Sequence, residues 1–345
     1  MIRITSWVIT QSTPNVSGVA RLDGFLNRSR ALFKCGRFGL GMVLWSFVIA
    51  SRLAADDGFR PRDELWRLST RSVAWDLDFD FPQTQLGVSV WDAQERQWRD
   101  STWADFVKSQ TKTNLSVIYV HGNRVEPGED TSHGLAWYQS IIRHQPSLPA
   151  MQFVVWAWPS SKIRGQIRDV RSKYQRAHVE VRYLGGFLKT IPSSRPTMLV
   201  GFSFGGLIIP GALDQVAQSS KADASVAASR PWSAVLAAAA VHHDWLLPGK
   251  SHGRSLSAVR QMRVFVNGND CVLKRYRLVD RNSRPLALGR VGMPLDSLPK
   301  ELVSRVTEHD VSGIAGRGHR EANYRNSSMV MGWISDSLKV ILPEK

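Results

Sequence analysis

The chain has 345 residues, of which 43% are hydrophobic, with 13 tryptophans and a formal charge of +16. This length and apolar content exclude a disordered chain and allow a sizeable core, in one large domain or two small ones. Part of the charge is local: residues 1–55 hold seven Arg or Lys against Asp23, a net of +6, which leaves +10 for the remainder. Two cysteines, Cys35 and Cys271, form no disulfide framework and say little about compartment.

The N-terminal stretch does not read as part of a fold. Arg28, Arg30, Lys34 and Arg37 precede an apolar run over 38–50, followed by Leu53-Ala54-Ala55 and then Asp56-Asp57. A basic region, about a dozen apolar residues and then small residues is the order of a secretory signal peptide. The run is short for a membrane span. Residues 1–55 are therefore expected to be a leader that exports the chain to the periplasm or the exterior. An uncleaved anchor through residues 38–50, and with it membrane association, is the alternative.

Residues 56–64 read as a polar linker, and 65–69 and 86–91 as tryptophan-rich strands. A short helix is expected over 101–109, with Ser101 as its N-cap. From residue 114 the pattern becomes regular. A continuous apolar run at 115–120 marks a strand buried on both faces. It is followed by a helix at 132–143, a strand at 152–158 and a long amphipathic helix at 163–189. Then come a strand at 197–202, a helix at 204–218, strands at 234–241, 263–266 and 302–306, and a terminal helix at 322–340. Alternating buried strands and helices predict an α/β fold, a predominantly parallel twisted sheet with helices on both faces. Ligands in such sheets bind at the carboxyl ends of the strands.

At the end of the strand 197–202 stands Gly201-Phe202-Ser203-Phe204-Gly205, directly before the helix. Strand, small-residue turn with a central serine, then helix is the order of a nucleophile elbow. The turn must hold Ser203 clear of the sheet, and a side chain at either glycine would strike a neighbouring strand or helix. The helix that follows aims backbone N–H groups and its positive dipole end at the serine. Upstream, the strand 115–120 ends in His121-Gly122-Asn123, a turn suited to a second oxyanion donor. The backbone N–H groups of Phe204 and Asn123 are assigned as the two donors.

These motifs resemble the α/β-hydrolases, and among them poorly characterised bacterial serine hydrolases. The matching pieces are Val120-His121-Gly122-Asn123, Trp158-Pro159, the elbow at 201–205, Asn269-Asp270 and Gly318-His319, over roughly residues 110–340. The resemblance implies a catalytic domain over 111–345, with 56–110 leading into it. It also implies the chain order Ser, acid, His, and so a triad of Ser203, Asp270 and His319. Asp244, after the preceding strand, is the alternative acid.

Of the nine histidines, His121 belongs to the oxyanion turn, and His133, His144, His178 and His252 are expected at the surface. His242 and His243 precede the acid in the chain, and His309 lies at the tail of a strand. His319, in a glycine-rich loop between the last strand and the terminal helix, is left as the base. A metal at His242-His243-Asp244 is disfavoured, because adjacent strand residues point to opposite faces, and no metal or cofactor is expected. Cys271 lacks an elbow and reads as an inert thiol.

A serine hydroxyl needs a base and a group to orient that base. The resemblance therefore implies hydrolysis of an ester-type bond through an acyl-enzyme, with a small-molecule or lipid ester as substrate. A non-catalytic envelope binding protein of the same fold, or a membrane-associated lipase or peptidase, is the alternative. Trp156, Trp158 and Trp245 stand near strand ends, where they wall either the acyl pocket or the core. The segment 271–300 is the one candidate cap. The basic run from Lys162 to Arg182, seven basic residues against two acids, reads as a solvated helix face rather than a nucleic-acid site.

Overall fold

The computed structural model describes residues 58–75, 81–219, 230–280 and 283–343. The leader and anchor expected within 1–55 lie outside the described residues. Among the described residues no helix is long and apolar enough to cross a membrane.

Nine strands form one sheet. They are β1 (Glu64–Ser69), β2 (Gly87–Asp92), β3 (Gln97–Asp100), β4 (Leu115–Val120), β5 (Met151–Ala157), β6 (Thr197–Phe202), β7 (Trp232–Ala237), β8 (Gln261–Val266) and β9 (Val306–Asp310). Their spatial order is β3-β2-β1-β5-β4-β6-β7-β8-β9. β2 runs antiparallel to β1 and β3, while every pairing from β1 to β9 is parallel. Parallel pairs need crossovers, and helices supply them. The principal helices are α1 (Trp103–Ser109), α2 (Glu129–His144), α3 (Gln166–Lys189), α4 (Gly205–Ser219) and α5 (Ser328–Ile341). α3 packs on α4, and α2 packs on α5. Every residue of β4, β5, β6 and β7 is buried, as the unbroken apolar runs require. The winding reverses beside β4, with β5 to one side and β6 to the other, so the carboxyl ends there form the crevice in which such sheets carry ligands.

Several boundaries differ from expectation, each for a local reason. Thr102, not Ser101, caps α1, because its hydroxyl accepts from the Asp105 N–H at 3.1 Å. β7 stops at Ala237, where Ala238 takes a positive φ of 47° and turns the chain under the elbow. Residues 300–303 are helical behind Pro299, and the last strand is β9. The terminal helix is broken by a new cap, Ser327, whose hydroxyl accepts from the Val330 N–H at 3.4 Å. β3 is a polar edge strand whose weak alternation left no signal.

The basic run on α3 is not uniformly solvated. Arg176 and Glu180 are both fully buried one turn apart and pair at 2.8 Å. Glu180 also accepts from Thr70 Oγ1 at 2.9 Å and Trp156 Nε1 at 3.0 Å. Arg176 donates to the carbonyls of Thr70, Val73 and Ala74 at 3.2–3.3 Å. The pair thus ties α3 to the ends of β1 and β5. Burial still pushes the Glu180 carboxyl up to about 6, with Arg176 opposing. Replacing Arg176 by Met strands that carboxylate, and urea unfolding should show a loss of about 3–5 kcal/mol.

Candidate active site

The elbow is built from backbone contacts. Ser203 lies at the tip with φ +54°, in the left-handed region, and its hydroxyl side chain is nearly buried. Such a backbone costs on the order of 1–3 kcal/mol and persists only where its surroundings dictate it. They do so here: the Ser203 N–H donates to the Ala237 carbonyl at 3.0 Å, and its own carbonyl accepts from the Ala240 and Gly206 N–H groups at 2.9 Å. A Cβ on Gly201 would sit 2.7 Å from the Gly205 carbonyl oxygen, and one on Gly205 would overlap the Val120 carbonyl oxygen. Gly206 meets Ala239 in the same way, at 2.7 Å.

The turn at 121–123 abuts the serine, since a Cβ on Gly122 would fall 2.9 Å from the Ser203 Cβ. Among the described residues neither the Phe204 nor the Asn123 backbone N–H donates to another protein group. α4 begins at Gly205 and adds its positive end. The turn is held from behind by groups that sequence reasoning had not singled out. Asp169, at the start of α3, accepts from Asn123 Nδ2 at 3.3 Å and Arg124 Nε at 2.7 Å. Ser160 accepts from the Arg124 N–H through its carbonyl at 2.8 Å.

Asp270 and His319 arrive from two loops. Asp270 follows β8 and is fully buried; its Oδ1 accepts from the Val272 and Leu273 N–H groups at 2.8 and 2.9 Å. Its Oδ2 lies 2.7 Å from His319 Nδ1, and His319 Nε2 lies 2.9 Å from Ser203 Oγ. An ionised carboxylate only accepts, so Nδ1 carries the proton and Nε2 is free to accept from the serine. The two loops are joined by Asn267, which donates to the Gly316 carbonyl at 2.8 Å, and by the Cys271 N–H, which donates to the Arg317 carbonyl at 3.2 Å. The sequence therefore names three residues that the fold brings into one hydrogen-bonded line.

Asp244 is not brought there. It pairs with Lys250 at 3.1 Å, beside a cavity of about 560 Å³ that Tyr174, His242, Trp245 and Arg284 also line. The Tyr174 ring lies 6.4 Å from that of Phe204, so this cavity is one ring removed from the elbow. Of the three tryptophans, only Trp245 reaches it, stacked on His242 at 3.9 Å. Trp156 is core, bound to Glu180. Trp158 is also buried, and its indole donates to the His121 carbonyl at 2.9 Å. Within the segment 271–300, the Leu288 and Gly289 N–H groups donate to the Val241 and Ala239 carbonyls, in the loop after β7, at 2.8 and 2.9 Å.

Other histidines correct the sequence reading. His242 lies beyond β7, so strand alternation does not apply to it; its Nε2 is 3.1 Å from the Tyr174 hydroxyl. His252 is buried rather than exposed, and His133, His144 and His178 are half-buried. His309 is structural, bonded to Arg263 and stacked on Trp333 at 4.0 Å.

His121 is fully buried behind the oxyanion turn. Its Nε2 accepts from the Trp158 N–H at 3.3 Å while Nδ1 sits 2.9 Å from the Gly122 carbonyl, the pattern of a neutral ring. Burial pushes it down to about 3. Because the unfolded chain takes up that proton first, the contribution of neutral His121 is full above the ordinary value of 6.5 and falls as pH drops toward 3. The stability advantage of wild type over His121→Asn should shrink by about 1.4 kcal/mol per pH unit below that value, as read by urea unfolding between neutral pH and 4.5.

No family model and no curated protein matches the sequence. Among solved structures, the chain is similar to an arylesterase at 11% identity, covering 67% of this chain and 77% of that one, with a TM-score of 0.33. It is similar to Zea mays acyl-protein thioesterase 2 at 14% identity, covering 65% and 94%, with a TM-score of 0.33. An inhibited esterase B from Lactobacillus rhamnosis follows at 14%, covering 86% and 94%, again at 0.33. A mostly parallel sheet flanked by helices, with a strand–serine turn–helix elbow at the carboxyl end of β6, is the α/β-hydrolase fold.

Proposed function

We propose that this chain is a serine hydrolase that cleaves a carboxylic-ester bond through an acyl-enzyme. The observation that carries the reading is the continuous line from Ser203 Oγ through His319 to Asp270, at 2.9 and 2.7 Å, on a serine held at φ +54°. Ser203 Oγ attacks the carbonyl carbon as His319 Nε2 takes its proton. Asp270 keeps the proton on Nδ1 and stabilises the imidazolium. The Phe204 and Asn123 N–H groups hold the oxyanion, which in a dry site is worth several kcal/mol of barrier. The imidazolium then protonates the leaving alkoxide, and a water activated by the same His319 releases the acid. An ester is favoured over an amide because an alkoxide leaves with less assistance than an amine anion.

A fluorophosphonate probe, which phosphonylates an activated serine, tests the assignment. Wild type is expected to label and Ser203→Ala not at all. His319→Ala and Asp270→Asn should lose about 10³–10⁴-fold in nitrophenyl-ester turnover. Asp244→Asn should still label. An unlabelled wild type refutes the enzyme, and full labelling of His319→Ala refutes the base.

A further inference from the structure

We propose that Glu321 is a positioning residue for His319, a reading that rests on His319 being the base. The loop bearing His319 has little stiffness of its own. Gly316 has a positive φ of 62°, Gly318 follows two residues later, and Arg317, Gly318 and Arg320 are exposed. Before the histidine the loop is pinned by Asn267 on the Gly316 carbonyl and by Asn323, whose Nδ2 donates to the Ala315 carbonyl at 2.8 Å.

After it, the pin is Glu321, only 7% exposed. Its Oε1 accepts from the Tyr119 hydroxyl at 2.6 Å and from Trp137 Nε1 at 2.7 Å, and its Oε2 lies 2.8 Å from His133 Nδ1. Among the described residues no Lys or Arg pairs with this carboxylate, so those three groups carry its desolvation. Tyr119 stands in β4, two residues before the oxyanion turn, and His133 and Trp137 share one face of α2. Glu321 thus fastens the base's loop to the same strand that delivers the Asn123 donor, and sets the two halves of the site at one spacing. The hydrogen bond to Glu321 in turn holds the His133 imidazole above its usual range.

A group that merely filled space there would affect folding but leave the histidine's reach unchanged. The test compares Glu321→Ala, Glu321→Gln and Tyr119→Phe with wild type in fluorophosphonate labelling rate and nitrophenyl-ester kinetics, on protein shown to be folded by circular dichroism. Glu321→Ala should lose about 10–100-fold in labelling rate and kcat, the scale of a misplaced catalytic group, with KM nearly unchanged. Glu321→Gln keeps an acceptor for Tyr119 and Trp137 and should recover most of that loss. Tyr119→Phe should lose several-fold in kcat, and it decides the matter if Glu321→Ala does not fold.

A folded Glu321→Ala that labels at the wild-type rate overturns the proposal. So does a Gln variant no better than Ala, or a Tyr119→Phe variant indistinguishable from wild type. Failure of the triad itself is seen elsewhere, in an unlabelled wild type or a fully labelled His319→Ala.

Discussion

Everything at the carboxyl edge of this sheet depends on how closely backbone approaches backbone around Ser203. The serine's left-handed conformation is unfavourable in isolation. It is maintained because Ala237, the last residue of β7, and Ala240, in the turn beyond it, hydrogen-bond the serine backbone, and because Gly201, Gly205 and Gly206 let helix and strands close to contact distance. Gly122 extends the same contact to the oxyanion turn. With so little slack, the geometry of Ser203 and of the Phe204 and Asn123 N–H groups follows from main-chain packing and needs no flexible side chain to set it.

His319 and Asp270 are held in a different way. Both sit on loops, and loops reach a fixed place only when their polar groups are satisfied. Asp270 is fully buried yet is met by two backbone N–H groups and the imidazole. Asn267 joins its loop to that of His319. Other buried polar side chains fix neighbouring pieces: His121 and Asp169 hold the 121–124 turn, and Glu321 bonds the His319 loop to β4 and α2. Such networks hold a site firmly when every member is satisfied.

Much of this was legible in the residues themselves. Continuous apolar runs such as 115–120 reveal strands buried on both faces, since no polar residue interrupts them. Gly201-Phe202-Ser203-Phe204-Gly205 announces a strand-to-helix turn because only glycine tolerates the approach on either side. Asp270 and His319 were named through the resemblance to α/β-hydrolases, which places acid and base in turns after buried strands. Asp244 shared that property in the sequence, and only the path of 238–245 turned it toward Lys250. The polar edge strand β3 and the short helix at 300–303 had no burial pattern to betray them.

The sequence by itself determined the layered α/β plan, the elbow and the chemical kinds of residue at the strand ends, because hydrophobic periodicity and glycine's lack of a Cβ act over a few neighbouring positions. Which acid meets the histidine, which tryptophan reaches a cavity and how Glu321, 202 residues from Tyr119 along the chain, becomes its partner were decided only by the tertiary structure. Those contacts join residues remote in sequence, and their hydrogen bonds form only after the folded sheet and loops have excluded water from between them.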